Sequence, residues 1–305
     1  MRTRAANLLL GLLALPGLPA LAGASRAAAA PPPRRVVSLA PSLTEIVFAL
    51  GAGDRLVGVT QSCDYPAAAR GLPRIGGMTD GTIDLERLLA RQPDVVLAIG
   101  EDQATTVANL RRLGARVEVI ESQTVADVFG AVSRVGEILG LREPAGRLRR
   151  ELEQRVDRVR TAVAGLPAGK RPRVFFEIWD HPLMTASRAT LAGQLIELAG
   201  GINLFADLSG RYVEVSPETV LQRNPQVILS PDHHGRALSV DNLRRQPGFA
   251  QVDAVRHGRV HTFAGDLVSR PGPRIALALE LVGHALHPDL VPLPAEGAPP
   301  GAARH

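Results

Sequence analysis

Residues 85–97 read LERLLARQPDVVL, and residues 217–229 read PETVLQRNPQVIL. The two stretches align without a gap and place glutamate, leucine, arginine, proline, valine and leucine at equivalent positions. In each copy a helical pattern ends before a proline, Pro93 or Pro225, and a β-branched run follows it. A helix followed by a strand, present twice, predicts two related α/β units.

The same alternation of strands and helices extends outward from both stretches. We predict strands at 36–39, 56–60, 95–99 and 117–120 in the first half, and at 174–178, 227–230 and 260–263 in the second half. We predict helices at 43–50, 85–90, 107–113, 191–198, 219–223 and 275–286. Strands that alternate with helices are typical of an α/β fold with parallel sheets.

One long amphipathic helix is predicted between the two halves. Leu148, Leu152, Val156 and Val159 follow one another at spacings of four, four and three, with Arg and Glu on the other faces. The predicted organisation is an N-terminal α/β lobe at 35–142, a connecting helix at 143–166 and a C-terminal α/β lobe at 170–288.

The two ends of the chain have compositions that differ from those of the lobes. Arg2 and Arg4 precede an apolar run that ends in the small residues 22–24, which is typical of a cleaved signal peptide. We predict a signal peptide at 1–24, a spacer at 25–34 and a loose tail at 289–305. Because no cysteine lies near the cleavage point, we expect a mature protein without a lipid anchor.

The composition excludes several classes of protein. The chain is 45% hydrophobic and 21% charged, which excludes a disordered chain and a polytopic membrane protein. Its 35 basic residues are spread beside 30 acidic ones and only 3% of residues are aromatic, so we expect no nucleic-acid partner. Cys63 is the only cysteine, and an internal disulfide is therefore excluded.

Polar and aromatic residues follow the predicted strands of both lobes. In open parallel sheets, ligands bind beyond the carboxyl ends of the strands. The candidate ligand-binding residues there, with Tyr212 in the loop before Ser216, are Asp64, Tyr65, Trp179, Asp180, His181, Tyr212, His233, His234, Asp266 and Arg270. Aromatic side chains with polar tips suit a pocket for a large flat ligand, although each could instead lie at a rim or in the core.

Neither a catalytic site nor a protein-bound metal is predicted. The histidines and aspartates have the right chemistry for metal ligands, but their spacing is not diagnostic, and adjacent His233 and His234 tend to point apart. Either one could still contact the metal of a tetrapyrrole, or both could be solvated. No motif of a hydrolase, P-loop or zinc protease is present, and Cys63 has no neighbouring histidine in the sequence. We therefore expect no enzyme, and a metal-dependent cleft enzyme is the competing class.

Several motifs together resemble the periplasmic binding proteins of cobalamin and iron-chelate ABC importers. They are RVVSLAPSLTE at 35–45, VGVT at 57–60, CDYP at 63–66, PDVV at 93–96 and SRPGPRI at 269–275. The stretches CDYP and WDHPL at 179–183 look most like the cobalamin-binding branch. The resemblance implies a class III periplasmic binding protein, with two Rossmann-like lobes joined by a single long backbone helix, and a location in the periplasm.

The resemblance also implies the kind of ligand. We expect a cobalt corrinoid, with no resident cofactor, and haem or a ferric siderophore as alternatives. Trp179 and Tyr65 would flank the macrocycle, and Asp64, Asp180 and Asp266 would accept hydrogen bonds from its amide groups. Basic side chains that could pair with the carboxylates of haem or the phosphate of a corrinoid are Arg211, Arg270 and Arg274, although Arg274 could equally be a structural salt-bridge partner.

Family members dock onto arginines of a membrane permease through one acidic residue on each lobe. The matching positions are taken to be Glu45 and Glu218, and we expect a monomer that docks on an ABC permease. Ser42-x-x-Glu45 also fits a capping box, and Glu218 follows Ser216-Pro217, where a helix dipole favours an acid.

Overall fold

The computed structural model describes residues 31–232 and 238–295, apart from the side chain of Glu101. The predicted signal peptide, the start of the predicted spacer, the residues His233 and His234, and the end of the predicted tail lie outside the described residues.

The first lobe contains one parallel sheet. Its strands are β1 (Val36–Ser38), β2 (Leu56–Val59), β3 (Val95–Ala98) and β4 (Val117–Val119), in the order β2-β1-β3-β4. Its helices are α1 (Pro41–Ala49), α2 (Leu85–Leu89), α3 (Ala104–Arg112) and α4 (Val125–Ile138). Alternate residues of β1 are buried in different apolar clusters, Val36 in one and Val37 in the other, so both faces of the sheet are covered.

A single helix, α5 (Arg142–Ala164), follows the first lobe within two residues of the predicted bounds. It buries Leu152, Val156 and Val159, which are three of the four residues that define the predicted apolar stripe. All strands of the first sheet precede α5 in the chain and all strands of the second sheet follow it. The two lobes are therefore joined in sequence by this helix.

The second lobe contains a mixed sheet. Its strands are β5 (Arg173–Asp180), β6 (Leu183–Ala186), β7 (Ile202–Asn203), β8 (Tyr212–Glu214), β9 (Val227–Asp232) and β10 (Val260–Ala264). The order is β10-β9-β5-β6-β8, and β7 pairs with the start of β5. Its helices are α6 (Leu191–Leu198), α7 (Pro217–Arg223), α8 (Val240–Arg244), α9 (Asp253–Arg256), α10 (Gly265–Ser269) and α11 (Ile275–Leu286).

The predicted duplication is confirmed by the strand registers. Val36 of β1 pairs with Val95 of β3, and the equivalent residues Val174 of β5 and Val227 of β9 pair in the same way. The parallel strands of the second sheet run in the order β7-β5-β9-β10, which repeats β2-β1-β3-β4 of the first. Each lobe therefore contains the same four-stranded unit.

The backbone repeats as well. Asp84 and Ser216 are equivalent N-caps, and each accepts a hydrogen bond from the amide three residues ahead. Among the described residues, the non-glycine positions with positive φ are Gln92 (48°) and Asn224 (41°), which are also equivalent. Both residues make the turn between the helix and the strand of the repeat.

Four features depart from the predicted elements, and the first is the short strand β7, which has no counterpart among the predicted strands. The antiparallel strands β6 and β8 extend the second sheet beyond the repeated unit, and Tyr212 begins β8 rather than lying in a loop. Trp179 and Asp180 are the last residues of β5 rather than residues beyond it. Four helices, α4, α8, α9 and α10, have no counterpart among the predicted helices.

No helix within the described ranges is long and apolar enough to cross a membrane.

One apolar core runs through both lobes. It includes Val36 of β1 and Leu97 of β3 in the first lobe, Val174 of β5 in the second lobe, and the buried faces of α5 and α11. Arg155 of α5 also donates two hydrogen bonds, of 3.0 and 2.6 Å, to the carboxylate of Glu280 in α11. The connecting helix is therefore packed along its length and holds the two lobes in a defined relation.

Candidate functional site

The carboxyl ends of the strands in both lobes carry most of the predicted site residues. Asp64 and Tyr65 follow β2, whereas Trp179 and Asp180 end β5. The segment after β10 carries Asp266 in α10 and Arg270 just beyond it. These candidates lie at or beyond the carboxyl ends of strands, where ligands bind in parallel sheets, whereas Tyr212 begins the antiparallel strand β8.

Arg270 of the second lobe connects acidic residues from both lobes. Its guanidinium lies 2.6 Å from Asp64 and 3.8 Å from Glu45 in the first lobe, and 2.8 Å from Asp266 in the second. Three of the predicted ligand contacts, Asp64, Asp266 and Arg270, are thus bound to one another. The side chain of Arg270 is only 16% exposed, so this charge is largely satisfied within the protein.

The contact with Arg270 changes the acidity of Asp64. Burial alone would raise the pKa of this carboxyl group, but the hydrogen bond and charge of Arg270, with a smaller contribution from Arg70, bring the pKa below its ordinary value. Asp64 is therefore charged at neutral pH and holds the guanidinium of Arg270.

Glu45 is buried, which corrects two expectations about it. The N-cap of α1 is Ala40, because Pro41 occupies the first helical turn, so Ser42 lies inside the helix and makes no capping box with Glu45. The Glu45 side chain is 3% exposed, and both of its oxygens accept hydrogen bonds from Arg274, at 2.9 and 2.6 Å. A carboxylate occupied in this way is not free to dock on arginines of another protein, so the assignment of Glu45 as a docking residue is wrong.

Arg274 also contacts the ring of Tyr65. Its guanidinium carbon lies 4.0 Å from the ring centroid, which is the geometry of a cation–π contact. Burial disfavours the charged form of Arg274, but the hydrogen bonds and charge of Glu45 outweigh it and raise the pKa of the guanidinium. The guanidinium of Arg274 therefore lies between a buried acid and an aromatic ring.

The three predicted ligand-facing aromatic rings are partly exposed. Tyr65 is 46% exposed, Trp179 is 48% exposed and Tyr212 is 43% exposed. The indole nitrogen of Trp179 donates a 2.8 Å hydrogen bond to the carbonyl of His181, which orients its ring. Each ring therefore has both a packed part and a part open to solvent, which is available for contact with a ligand.

Further contacts join the lobes near these residues. The hydroxyl of Ser122 donates a 2.7 Å hydrogen bond to the carbonyl of Pro271, and Arg211 donates a 2.8 Å hydrogen bond to the side chain of Gln123. Arg211, which could otherwise pair with an acidic ligand, is thus engaged with the first lobe.

A buried acid in β5 was missed in the sequence. Glu177 is 5% exposed, and its carboxyl group makes no hydrogen bond or ion pair within the described part of the chain. Burial first, and the neighbouring charge of Asp180 second, raise its pKa to about 7. Glu177 follows three buried strand residues in VFFEIW, and the sequence pattern alone does not distinguish such an acid from one at a strand end.

Cys63 does not form a reactive site. It is fully buried, and its sulfur lies 3.2 Å from the hydroxyl of Thr44 and 3.1 Å from that of Thr60. A thiol without access to solvent is a packing element rather than a nucleophile.

Glu218 is exposed at the start of α7, beside Ser216 and Pro217, as predicted. Hydrogen bonds at the helix start, from its own backbone and from Ser216, lower the pKa of its carboxyl group. Its equivalent in the duplicated stretch is Glu86, which is exposed at the same position of α2. The alignment of residues 85–97 with 217–229 therefore pairs Glu86 with Glu218 from the sequence alone.

The described residues contain no group of three or more His, Cys, Asp or Glu side chains that could hold a metal ion. A groove of about 560 Å³ lies elsewhere, between α5, α11 and residues 290–295. None of the predicted ligand-binding residues lines that groove. The strand ends of the two lobes therefore remain the candidate site.

The sequence matches one family model and is similar to curated proteins over most of its length. A family model described as periplasmic binding protein matches residues 36–267. A vitamin B12-binding protein of Vibrio cholerae serotype O1 is 31% identical over 252 residues, which cover 82% of this chain and 88% of that protein.

Solved structures share the fold at similar identity. The crystal structure of the periplasmic vitamin B12-binding protein of Vibrio cholerae aligns with a TM-score of 0.72 and 30% identity, over 84% of this chain and 97% of that one. The periplasmic heme-binding protein of Roseiflexus sp. RS-1 in its apo form aligns with a TM-score of 0.73 and 28% identity, over 84% and 98% of the two chains. The predicted two-lobed α/β fold is confirmed by these likenesses.

Proposed function

The chain belongs to the periplasmic binding protein family of ABC transporters, and we propose that its ligand is a corrinoid, captured between the lobes and delivered to a membrane permease. The observation that carries this proposal is the identity of 31% over most of both chains with a protein named for vitamin B12 binding. The role is binding and delivery, with no chemical step and no resident cofactor.

The exposed rings support a large flat ligand. Tyr65 and Trp179 each leave about half of their surface open at the strand ends of different lobes. Aromatic faces of this kind contribute strongly to affinity because they bury much apolar area at little cost in conformational entropy. Asp180 is exposed at the end of β5 and is available to accept hydrogen bonds from amide groups of the ligand.

Haem is the second candidate ligand. The heme-binding protein of Roseiflexus aligns with a TM-score of 0.73, close to the 0.72 of the vitamin B12-binding protein. The predicted metal contact through His233 or His234 would serve haem at least as well as a corrinoid.

Spectroscopy and calorimetry distinguish the two ligands. We expect cyanocobalamin to bind with a stoichiometry of one and haemin to bind more weakly, when each is titrated separately into the mature protein. Tight binding of haemin alone would overturn the corrinoid proposal in favour of haem. Binding of neither ligand would defeat both, and turnover of any substrate would favour the cleft enzyme.

Docking onto the permease is assigned to Glu86 and Glu218. Both are exposed in the first turn of equivalent helices, one on each lobe, and both follow a capped helix start. Exposed acids at matched positions suit a partner with two arginine sites. We expect the double variant Glu86→Arg and Glu218→Arg to abolish ligand-dependent stimulation of the permease ATPase in proteoliposomes. Ligand affinity should remain unchanged, and unaltered stimulation would contradict the assignment.

The mature protein is proposed to be a periplasmic monomer released by cleavage after Ala24. The basic residues, apolar run and small residues at 1–24, with no cysteine beside them, support this proposal. Mass spectrometry of the exported protein should give an N-terminus at Ser25 without lipid, and light scattering should give a single-chain mass.

A further inference from the structure

Glu45 and Arg274 form a buried ion pair between the lobes. Glu45 lies in α1 of the first lobe, and Arg274 is the N-cap residue of α11 in the second. Two hydrogen bonds, of 2.9 and 2.6 Å, make the contact bidentate, and the side chains are 3% and 18% exposed. A bidentate contact fixes both the position and the plane of the guanidinium.

The backbone of the second lobe approaches this pair closely. A Cβ added at Gly272 would lie 3.3 Å from an oxygen of Glu45 and 3.5 Å from Cα of Ser42. The segment before α11 is therefore packed directly against α1, with little space for a larger side chain at position 272. Glu45 is thus enclosed between α1 and this segment, with Arg274 as its hydrogen-bonded partner and Arg270 as a second cation at 3.8 Å.

The fixed guanidinium faces the ring of Tyr65. It lies 4.0 Å from the ring centroid, and Tyr65 is 46% exposed at the end of the first lobe. One face of the ring is occupied by Arg274, while about half of the side chain remains open.

We propose that Glu45 is a positioning residue for ligand binding: it orients Arg274, which in turn holds the ring of Tyr65 in the position that stacks on the ligand. The proposal rests on the proposed function for the role of Tyr65. It gives Glu45 an effect on affinity without any contact between Glu45 and the ligand.

A purely structural role for the pair predicts a different outcome, and a double-mutant cycle separates the two. We expect Glu45→Gln to weaken cyanocobalamin binding by about threefold to thirtyfold, the range that corresponds to a cation–π contact. In a Tyr65→Ala background, Glu45→Gln should have no further effect. An equal loss in both backgrounds would overturn the proposal. The matched control is Glu143→Gln, an exposed acid in α5, which should leave affinity unchanged.

A second measurement does not depend on the ligand. The chain has two tyrosines, so in a Tyr212→Phe variant labelled with ¹³C-tyrosine the ring signals of Tyr65 are the only ones observed. We expect Glu45→Gln to shift these signals, and an unchanged Tyr65 spectrum would contradict the positioning role. If neither cyanocobalamin nor haemin binds, the proposed function fails while this experiment still decides whether Glu45 orients the ring.

Arg274→Lys tests the proposed link between Glu45 and Tyr65 at the residue that connects them. Lysine keeps the charge but cannot make two parallel hydrogen bonds to Glu45. We expect it to reduce affinity and to shift the Tyr65 signals as Glu45→Gln does. This variant preserves the charge balance of the buried pair and therefore keeps the test valid if Glu45→Gln does not fold. Arg274→Lys with wild-type affinity and wild-type Tyr65 signals would also overturn the proposal.

Discussion

The guanidinium of Arg270 lies 2.6 Å from the carboxylate of Asp64, although the two residues are 206 positions apart and belong to different lobes. The same guanidinium is bound by Asp266 at 2.8 Å. Residues expected to face the ligand therefore also tie the lobes together in the structure, and a ligand that binds Arg270 must compete with Asp64.

Removal of the Asp64 carboxylate should weaken the link between the lobes. We expect Asp64→Asn to lower the free energy of unfolding at pH 7 by about 1 kcal/mol, the order of a partly exposed ion pair. Because the folded-state pKa of Asp64 is lowered, its contribution is present above the unfolded value of 3.8 and is lost as pH falls through the folded value. Urea unfolding should therefore give a lower free energy of unfolding for Asp64→Asn than for the wild type at pH 7. A difference of the same size at very low pH would show that the charge of Asp64 is not its cause.

Glu177 should make the protein less stable as pH rises. Its folded-state pKa is raised from 4.5 to about 7, so between these values the folded protein keeps a proton that the unfolded chain loses. Its contribution is fully present below pH 4.5 and is lost as pH rises through 7. Glu177→Gln removes this dependence, and the variant should exceed the wild type at pH 8 by about 3 kcal/mol.

Chemical denaturation at pH 4 and pH 8 measures this effect. The two proteins should have similar free energies of unfolding at pH 4, where the wild-type carboxyl group is neutral in both states. An identical difference at both pH values would show that Glu177 does not titrate as the structure indicates.

Trp179 should contribute a large part of the affinity for the ligand. Its indole is 48% exposed at the end of β5, and loss of a central aromatic contact typically weakens binding by about tenfold or more. We expect this loss for Trp179→Ala in calorimetry with cyanocobalamin, and a smaller loss for Trp179→Phe. Leu113→Ala, at an exposed apolar residue after α3, is the matched control. Equal affinities of Trp179→Ala and the wild type would exclude Trp179 from the site.

Glycine substitutions in the two equivalent turns, at Gln92 and Asn224, should have different effects on the stability of the protein. Gln92 has φ of 48° without a special role for its side chain, so Gln92→Gly should be neutral or stabilise the protein by up to about 1 kcal/mol. The side chain of Asn224 accepts a 2.9 Å hydrogen bond from the backbone of Asp253, and Asn224→Gly should therefore be destabilising. Thermal unfolding of both variants checks the contrast, which stabilisation by Asn224→Gly would contradict.

The repeated unit and the connecting helix were predictable because they depend on local patterns. The helix–proline–strand unit occurs twice with the same spacing, and Leu152, Val156 and Val159 have the period of a helix buried on one side. Helix α11 has the predicted bounds for the same reason. The strands β6 and β8 were not predicted, since short antiparallel strands beside polar loops have no strong period.

The site was less predictable because its contacts join distant parts of the chain. The spacing of Ser42 and Glu45 fits a capping box, but the helix begins at Pro41 with Ala40 as its N-cap, and the fold brings Arg274 to Glu45. A contact between residues so far apart in the sequence depends on how the folded lobes pack, and local sequence patterns do not show it. The aligned repeat places Glu86 on Glu218, so the sequence does indicate this acid, whereas the family resemblance points to Glu45.

The single passage of the chain through α5 has a consequence for recombination between relatives. Each lobe is a continuous segment of sequence, so one junction within α5 would exchange an entire lobe between two homologues. Such a hybrid would still need Glu45 from one parent to meet Arg274 from the other. The lobes are therefore exchangeable as segments of the gene, but a hybrid keeps this contact only if each parent has the matching residue, an acid at position 45 in one and an arginine at position 274 in the other.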